Sequence, residues 1–172
     1  MLSQGKSRRI AYLAALIAIG CAIWIIEELI PHPLPWIKPG LANIATLLAL
    51  YLMRPSDALI VAVSRVLLGA LILGRFGSAG FFISLSGAVL SALAMFAVRK
   101  SGLPFSIYGV SLFGALFHGL AQLLVAGILV YNLHAVVYLT PWVLLPSIAT
   151  GLLVAHFARM IIARIRPKLD ID

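Results

Sequence analysis

Six apolar runs, separated by short breaks that carry most of the charge, leave this chain one kind of fold. The runs are Ile10–Ile30, Leu41–Met53, Ser56–Leu73, Gly80–Val98, Phe105–Val130 and Pro141–Ile162. A membrane-spanning helix needs about 20 mainly apolar residues, so six of them use most of a 172-residue chain. The expectation is a single all-α transmembrane domain over residues 1–172, a bundle of about six helices joined by short loops. Composition points the same way: 63% of the residues are hydrophobic and 10% charged, with a mean hydropathy of +1.12. A soluble domain carries roughly a quarter charged residues. This chain cannot cover a water-facing surface, and the lipid bilayer is its first partner.

The breaks carry turn chemistry. Pro31, Pro33, Pro35 and Pro39 rule out helix across the first loop, and Arg54-Pro55-Ser56-Asp57 separates the second and third runs. Arg75-Phe76-Gly77-Ser78 ends the third run and Arg99-Lys100-Ser101-Gly102 the fourth. The second run, at 13 residues, barely crosses a bilayer alone, so it is tilted, extended into its loop or buried among the others. Pro141 and Pro146 fall near the start of the last run, where a missing amide donor costs least.

A net charge of +8 raises the question of nucleic acid, but the basic residues sit in small groups between apolar runs, as topology signals do. With the N-terminus in the cytoplasm, the inside segments hold Lys6, Arg8, Arg9, Arg54, Arg99, Lys100, Arg159, Arg164, Arg166 and Lys168, and the outside loops hold Lys38 and Arg75. An even number of helices returns the C-terminus to the same side, so both termini are expected in the cytoplasm of a bacterial cell, with the chain multi-pass in its membrane. The first run has a basic start but is too long for a signal-peptide core and is read as a retained helix. A lone cysteine, Cys21, makes no intrachain disulfide.

Several residues stand out against this apolar background. Ala11, Ala15, Ala18 and Ala22 form one stripe on the first helix, a smooth surface of the kind that lets helices approach closely in lipid. It serves either packing inside the bundle or docking onto another membrane subunit. Arg65 falls near mid-membrane, where an arginine costs at least about 2.5–3.5 kcal/mol. Either a structural pair or an anionic ligand must offset that, and Glu27 and Glu28 lie toward the outer end of the first helix, too shallow to reach it fully. His118 and Gln122, four residues apart, share one face of the fifth helix at a similar depth. They are either satisfied packing residues or one wall of a polar cavity, which Asn43 and Thr46, expected near the outer surface, would also line. Ser84, Ser86, Gly87 and Ser91 give the fourth helix a small polar face suited to close packing. There is no paired carboxylate cluster, metal-ligand spacing, nucleotide-binding glycine loop or nucleophile with a placed base. No catalytic residue, metal or cofactor is expected.

The run Pro31-His32-Pro33-Leu34-Pro35-Trp36-Ile37-Lys38-Pro39-Gly40-Leu41-Ala42-Asn43-Ile44 is distinctive. So are Arg65-Val66-Leu67-Leu68-Gly69, Ser84-Leu85-Ser86-Gly87-Ala88 and Gly109-Val110-Ser111-Leu112-Phe113-Gly114-Ala115. With His118 and Gln122 they resemble the Gx transporter family, also labelled heptaprenyl diphosphate synthase component I, from about Ala11 to Ile162. The family pattern has His-Asn ahead of the glutamine, whereas Gly119 follows His118 here, so nothing is carried over for that asparagine. The family is similar in turn to the substrate-binding S components of energy-coupling-factor importers. That resemblance implies a six-helix bundle with an outward pocket and, at Ala11, Ala15 and Ala18, a surface for a membrane coupling subunit driven by ATPase subunits. It implies uptake of a small-molecule substrate, with no ATPase activity in this chain, and no enzyme activity is expected of it.

Trp36, Asn43, Arg65, His118 and Gln122 are accordingly the expected substrate-binding residues, with Trp36 either stacking on a ring or anchoring at the interface. Arg65 and His118 favour a ligand with an anionic or strongly hydrogen-bonding group. Two other roles compete. One is a non-catalytic membrane subunit of heptaprenyl diphosphate or isoprenoid-quinone synthesis; catalysis by the chain itself would need clustered carboxylates for magnesium and diphosphate, and the closest aspartates are Asp170 and Asp172 in the tail. The other is a structural subunit of a membrane redox complex.

Overall fold

The computed structural model describes residues 6–30, 38 and 40–165. They form six helices: α1 Lys6–Leu29, α2 Asn43–Leu52, α3 Pro55–Ile72, α4 Ala79–Lys100, α5 Ile107–Leu129 and α6 Leu133–Ile165, with no strand among the described residues. All of them except α2 are long and apolar enough to cross a membrane. The outside is apolar, with Ile72, Val137, Trp142 and Leu145 exposed, which suits a chain solvated by lipid. The inside is largely apolar as well, around Leu47, Leu50, Val61 and Val66, but it also buries Asn43, Thr46, Arg65, Ser91, His118 and Gln122.

The short second run occupies the centre. Helix α2 packs against all five other helices, and Asn43 together with Ala45–Leu50 is buried. Around it the chain runs α1, α3, α4, α5, α6, each against the next. The ring is open between α1 and α6, where an apolar groove is lined by Ile23, Leu41, Ile44, Val154 and Phe157. Small residues set the close contacts: a Cβ at Gly20 would lie 3.0 Å from that of Ala45, and one at Gly151 would lie 2.9 Å from that of Ala115.

Helix ends follow local chemistry. Ser78 and Ser106 accept hydrogen bonds from the Phe81 and Gly109 amides at 3.2 and 3.4 Å, capping α4 and α5. Pro55 begins α3, and the Asp57 carboxylate accepts from the Arg54 amide at 3.3 Å. Helix α3 ends with Gly74 at φ +65°, the Gly74 amide donating to Leu71 O and the Arg75 amide to Ala70 O.

One boundary differs from expectation. Helix α6 begins at Leu133, not Pro141, and both prolines lie inside it. The prolines leave the Val137 and Trp142 carbonyls without an amide, a break that packing against neighbouring helices makes tolerable in a membrane bundle. The Thr140 and Ser147 hydroxyls donate to the adjacent carbonyls, Val136 O at 2.6 Å and Val143 O at 2.7 Å.

Contacts fix the two ends of the bundle. Arg9 of α1 pairs with Asp57, and the Arg99 guanidinium lies 4.5 Å from the centre of the Tyr51 ring, so the starts of α1 and α3 meet the ends of α2 and α4. At the opposite end Arg75 pairs with Glu28. Lys6, Arg8, Arg54 and Lys100 share the first end, so that end of the molecule is strongly basic.

Candidate functional site

The site is built where α2 begins. The Arg65 guanidinium, 1% exposed, donates from Nη2 to Asn43 Oδ1 at 2.7 Å. Arg65 is ten residues past the start of α3, about 15 Å along that helix at 1.5 Å per residue. Asn43 therefore lies about halfway through the bundle. This corrects the expectation that Asn43 and Thr46 sit near the outer surface: with only ten residues, α2 rises about 15 Å and starts at mid-depth.

Starting a helix inside a membrane bundle leaves backbone amides to satisfy. The Asn43, Ile44 and Ala45 amides bond to Gly40, Leu41 and Ala42 carbonyls at 3.0, 3.0 and 3.3 Å. The Leu41 and Ala42 amides donate to the two oxygens of the Glu27 carboxylate at 2.6 and 3.3 Å. Glu27 is 2% exposed, so a carboxylate from α1 holds the turn that enters α2. Among the described residues, Arg65 forms no ion pair with a carboxylate, although Glu27 lies within its electrostatic reach.

Across from Arg65, α4 and α5 bring His118 and Gln122 to the same chamber. Both are buried. A Cβ at Gly87 would lie 2.9 Å from Gln122 Cγ and from His118 Cε1, so the small face of α4 does give close packing, as expected. Gly40 is constrained twice: its φ is +80°, and a Cβ there would lie 2.9 Å from His118 Cδ2 and 3.0 Å from Asn43 Nδ2. His118 thus stands between Gly40 and Gly87, within the fields of both Arg65 and Lys38.

Lys38 completes the chamber, and the sequence reading missed it by taking it for an outside-loop charge. Its amide donates to Gln122 Oε1 at 3.2 Å and its ammonium to Ser84 Oγ at 2.9 Å. That ammonium also pairs with Glu28 and lies 4.1 Å from the centre of the Trp24 ring. Burial pulls the Lys38 pKa below that of an ordinary lysine, and the hydrogen bond with Glu28 opposes the shift. Its place five residues before Asn43, in the distinctive proline run, was the available signal.

Among the described residues, Arg65 Nε and Gln122 Nε2 are buried without a hydrogen-bond partner, as are Thr46 Oγ1 on α2 and Ser91 Oγ on α4, while His118 Nδ1 lies against the Gly87 backbone. Leaving a buried donor or acceptor unpaired costs about 1–3 kcal/mol each. Asn43, Arg65, His118 and Gln122 are therefore brought together, and Trp36 lies outside the described residues. No group of three or more metal-ligating side chains occurs among the described residues. Ala11, Ala15 and Ala18 lie apart from the chamber, exposed along α1. Their stripe does not serve packing between helices of this chain.

No curated protein and no solved structure matches the chain. The family profile described as "Heptaprenyl diphosphate synthase component I" matches residues 16–161, which include α2 to α5, most of α1 and α6, and every residue of the chamber. The motif resemblance and this match agree, and the chain belongs to the heptaprenyl diphosphate synthase component I family.

Proposed function

We propose that this protein is the substrate-binding membrane subunit of an importer of the energy-coupling-factor kind, similar to an S component. In this reading it is multi-pass in a bacterial cytoplasmic membrane, with its basic end inside. It captures a small molecule bearing an anionic or strongly hydrogen-bonding group and performs no reaction on it. The observation that carries the reading is that Arg65 Nε and Gln122 Nε2, buried beside His118, have no hydrogen-bond partner among the described residues. A purely structural polar core would pair such atoms with one another, because each unpaired one is costly in low dielectric.

The exposed alanine stripe of α1 is suited to a membrane coupling subunit with its ATPases. The family description supports a second reading, a non-catalytic membrane component that assembles with a prenyl diphosphate synthase. Native mass spectrometry of the gently purified full chain separates the two. A bound small molecule together with coupling and ATPase subunits is the expected result; a prenyltransferase partner with an empty chamber would refute the importer reading.

A further inference from the structure

The two buried cations here are not equally paired: Lys38 pairs with Glu28, whereas Arg65 forms no direct ion pair among the described residues. Glu28 is engaged by both Lys38 and Arg75, and both Glu27 oxygens accept backbone amides. Neither carboxylate is free to turn to Arg65. The atoms left without partners on the two charged or amide side chains, Arg65 Nε and Gln122 Nε2, are donors. Arg65 Nη2 donates to Asn43 Oδ1, and the neighbouring Nε–H is left without an acceptor among the described residues.

We propose, on the reading that the chamber binds a ligand, that Arg65, Gln122 and Lys38 form a seat for a molecule carrying one carboxylate, and that the chamber rejects diphosphates. A side-on guanidinium edge matches the two oxygens of a carboxylate. One negative charge supplies the direct partner that Arg65 lacks among the described residues. A diphosphate brings at least two negative charges, and among the described residues the chamber has one cation without a direct carboxylate partner and no clustered carboxylates to hold magnesium. Lys38 sets the charge limit: its ammonium, held by Glu28, Ser84 and Trp24, supplies the field that Arg65 alone would share with Glu27.

The test uses the full chain in mild detergent. A small-molecule extract of the cells that express it is separated by anion exchange at neutral pH into neutral, singly charged and multiply charged pools. Melting temperature is measured with each pool and with inorganic pyrophosphate. The singly charged pool alone should stabilise the parent protein, and treating that pool with a carbodiimide and an excess of amine, which converts carboxylates to amides, before the reagents are removed should abolish the effect. Arg65→Gln should weaken the response by about thirtyfold or more, as expected when one partner of a buried charge pair is removed. Lys38→Met should weaken it and Lys38→Arg should keep it. Stabilisation by pyrophosphate, or by the neutral or multiply charged pool, would overturn the charge limit while leaving ligand capture standing. A stabilising singly charged pool that survives carbodiimide would overturn the carboxylate assignment. No response to any pool would overturn the seat and the capture reading together. A full response from Lys38→Met would remove Lys38 from the seat.

Discussion

Removing the carboxylate of Glu27 tests whether α2 depends on α1 for its start. The carboxylate accepts two amides, from Leu41 at 2.6 Å and Ala42 at 3.3 Å, in a site where water is excluded. A hydrogen bond to a charged group contributes about 1.5–3 kcal/mol, and a buried amide left without an acceptor costs about as much. Glu27→Gln keeps one acceptor oxygen but turns an amide donor toward the other N–H. It should therefore cost one charged bond, about 1.5–3 kcal/mol. Glu27→Ala loses both and should cost about 3–6 kcal/mol on the same scale. Both variants also leave Arg65 without its nearby counter-charge, which adds to the loss. Unfolding in mixed micelles gives the free energies, and amide exchange at Leu41 and Ala42 localises them, since protection there should fall first. If both variants lie within about 0.5 kcal/mol of the parent, the range of neutral surface changes, Glu27 does not hold α2 and the account is wrong.

Three further outcomes are expected. Gly69→Ala would place a Cβ 2.4 Å from Trp24 Cε3, inside a buried contact, and should lower stability by about 1–3 kcal/mol in a thermal melt; an unchanged melt would mean that α1 and α3 separate freely. In intact cells a cysteine at Ser101 should resist an impermeant thiol reagent and one at Asn132 should react, and the reverse pattern would invert the proposed orientation. Ala15→Leu adds bulk to an exposed position of α1, so the lone protein should melt as the parent does while co-purification of the coupling subunit is lost; retained co-purification would move the docking surface elsewhere.

The helical bundle was legible in the sequence because lipid imposes a simple demand: long apolar runs between charged turns. The runs of α3, α4 and α5 match their helices to within two residues at each end. The start of α6 was not legible, because proline normally marks a helix boundary and the packing of α6 against α2 and α5, which lets it run through two prolines, is not written in the local sequence. For the chamber, the pairing of His118 with Gln122 followed from helical spacing alone. Lys38 and Glu27 were hidden for a different reason. Both take their roles from backbone groups or side chains distant in sequence, such as Ser84 and Gln122, which no local pattern reports. The depth of Asn43 was misjudged because a short apolar run gives its length but not the level at which it starts.

That level has an electrical consequence. Because α2 fills only the half of the bundle nearer the basic end, Arg65 and Asn43 mark a point about midway across the membrane dielectric. A unit charge crossing the whole bilayer at 100 mV exchanges about 2.3 kcal/mol with the field. With the proposed orientation and an anionic ligand, the anion would cross about half of it on its way from outside to Arg65, against an interior-negative potential, at a cost of about 1.2 kcal/mol. That would correspond to a roughly sevenfold weaker apparent affinity in an energised cell than in detergent. The same voltage would then favour the anion's return to the outside, so net inward movement would need work from another subunit, while collapsing the potential would tighten capture without any change in the protein.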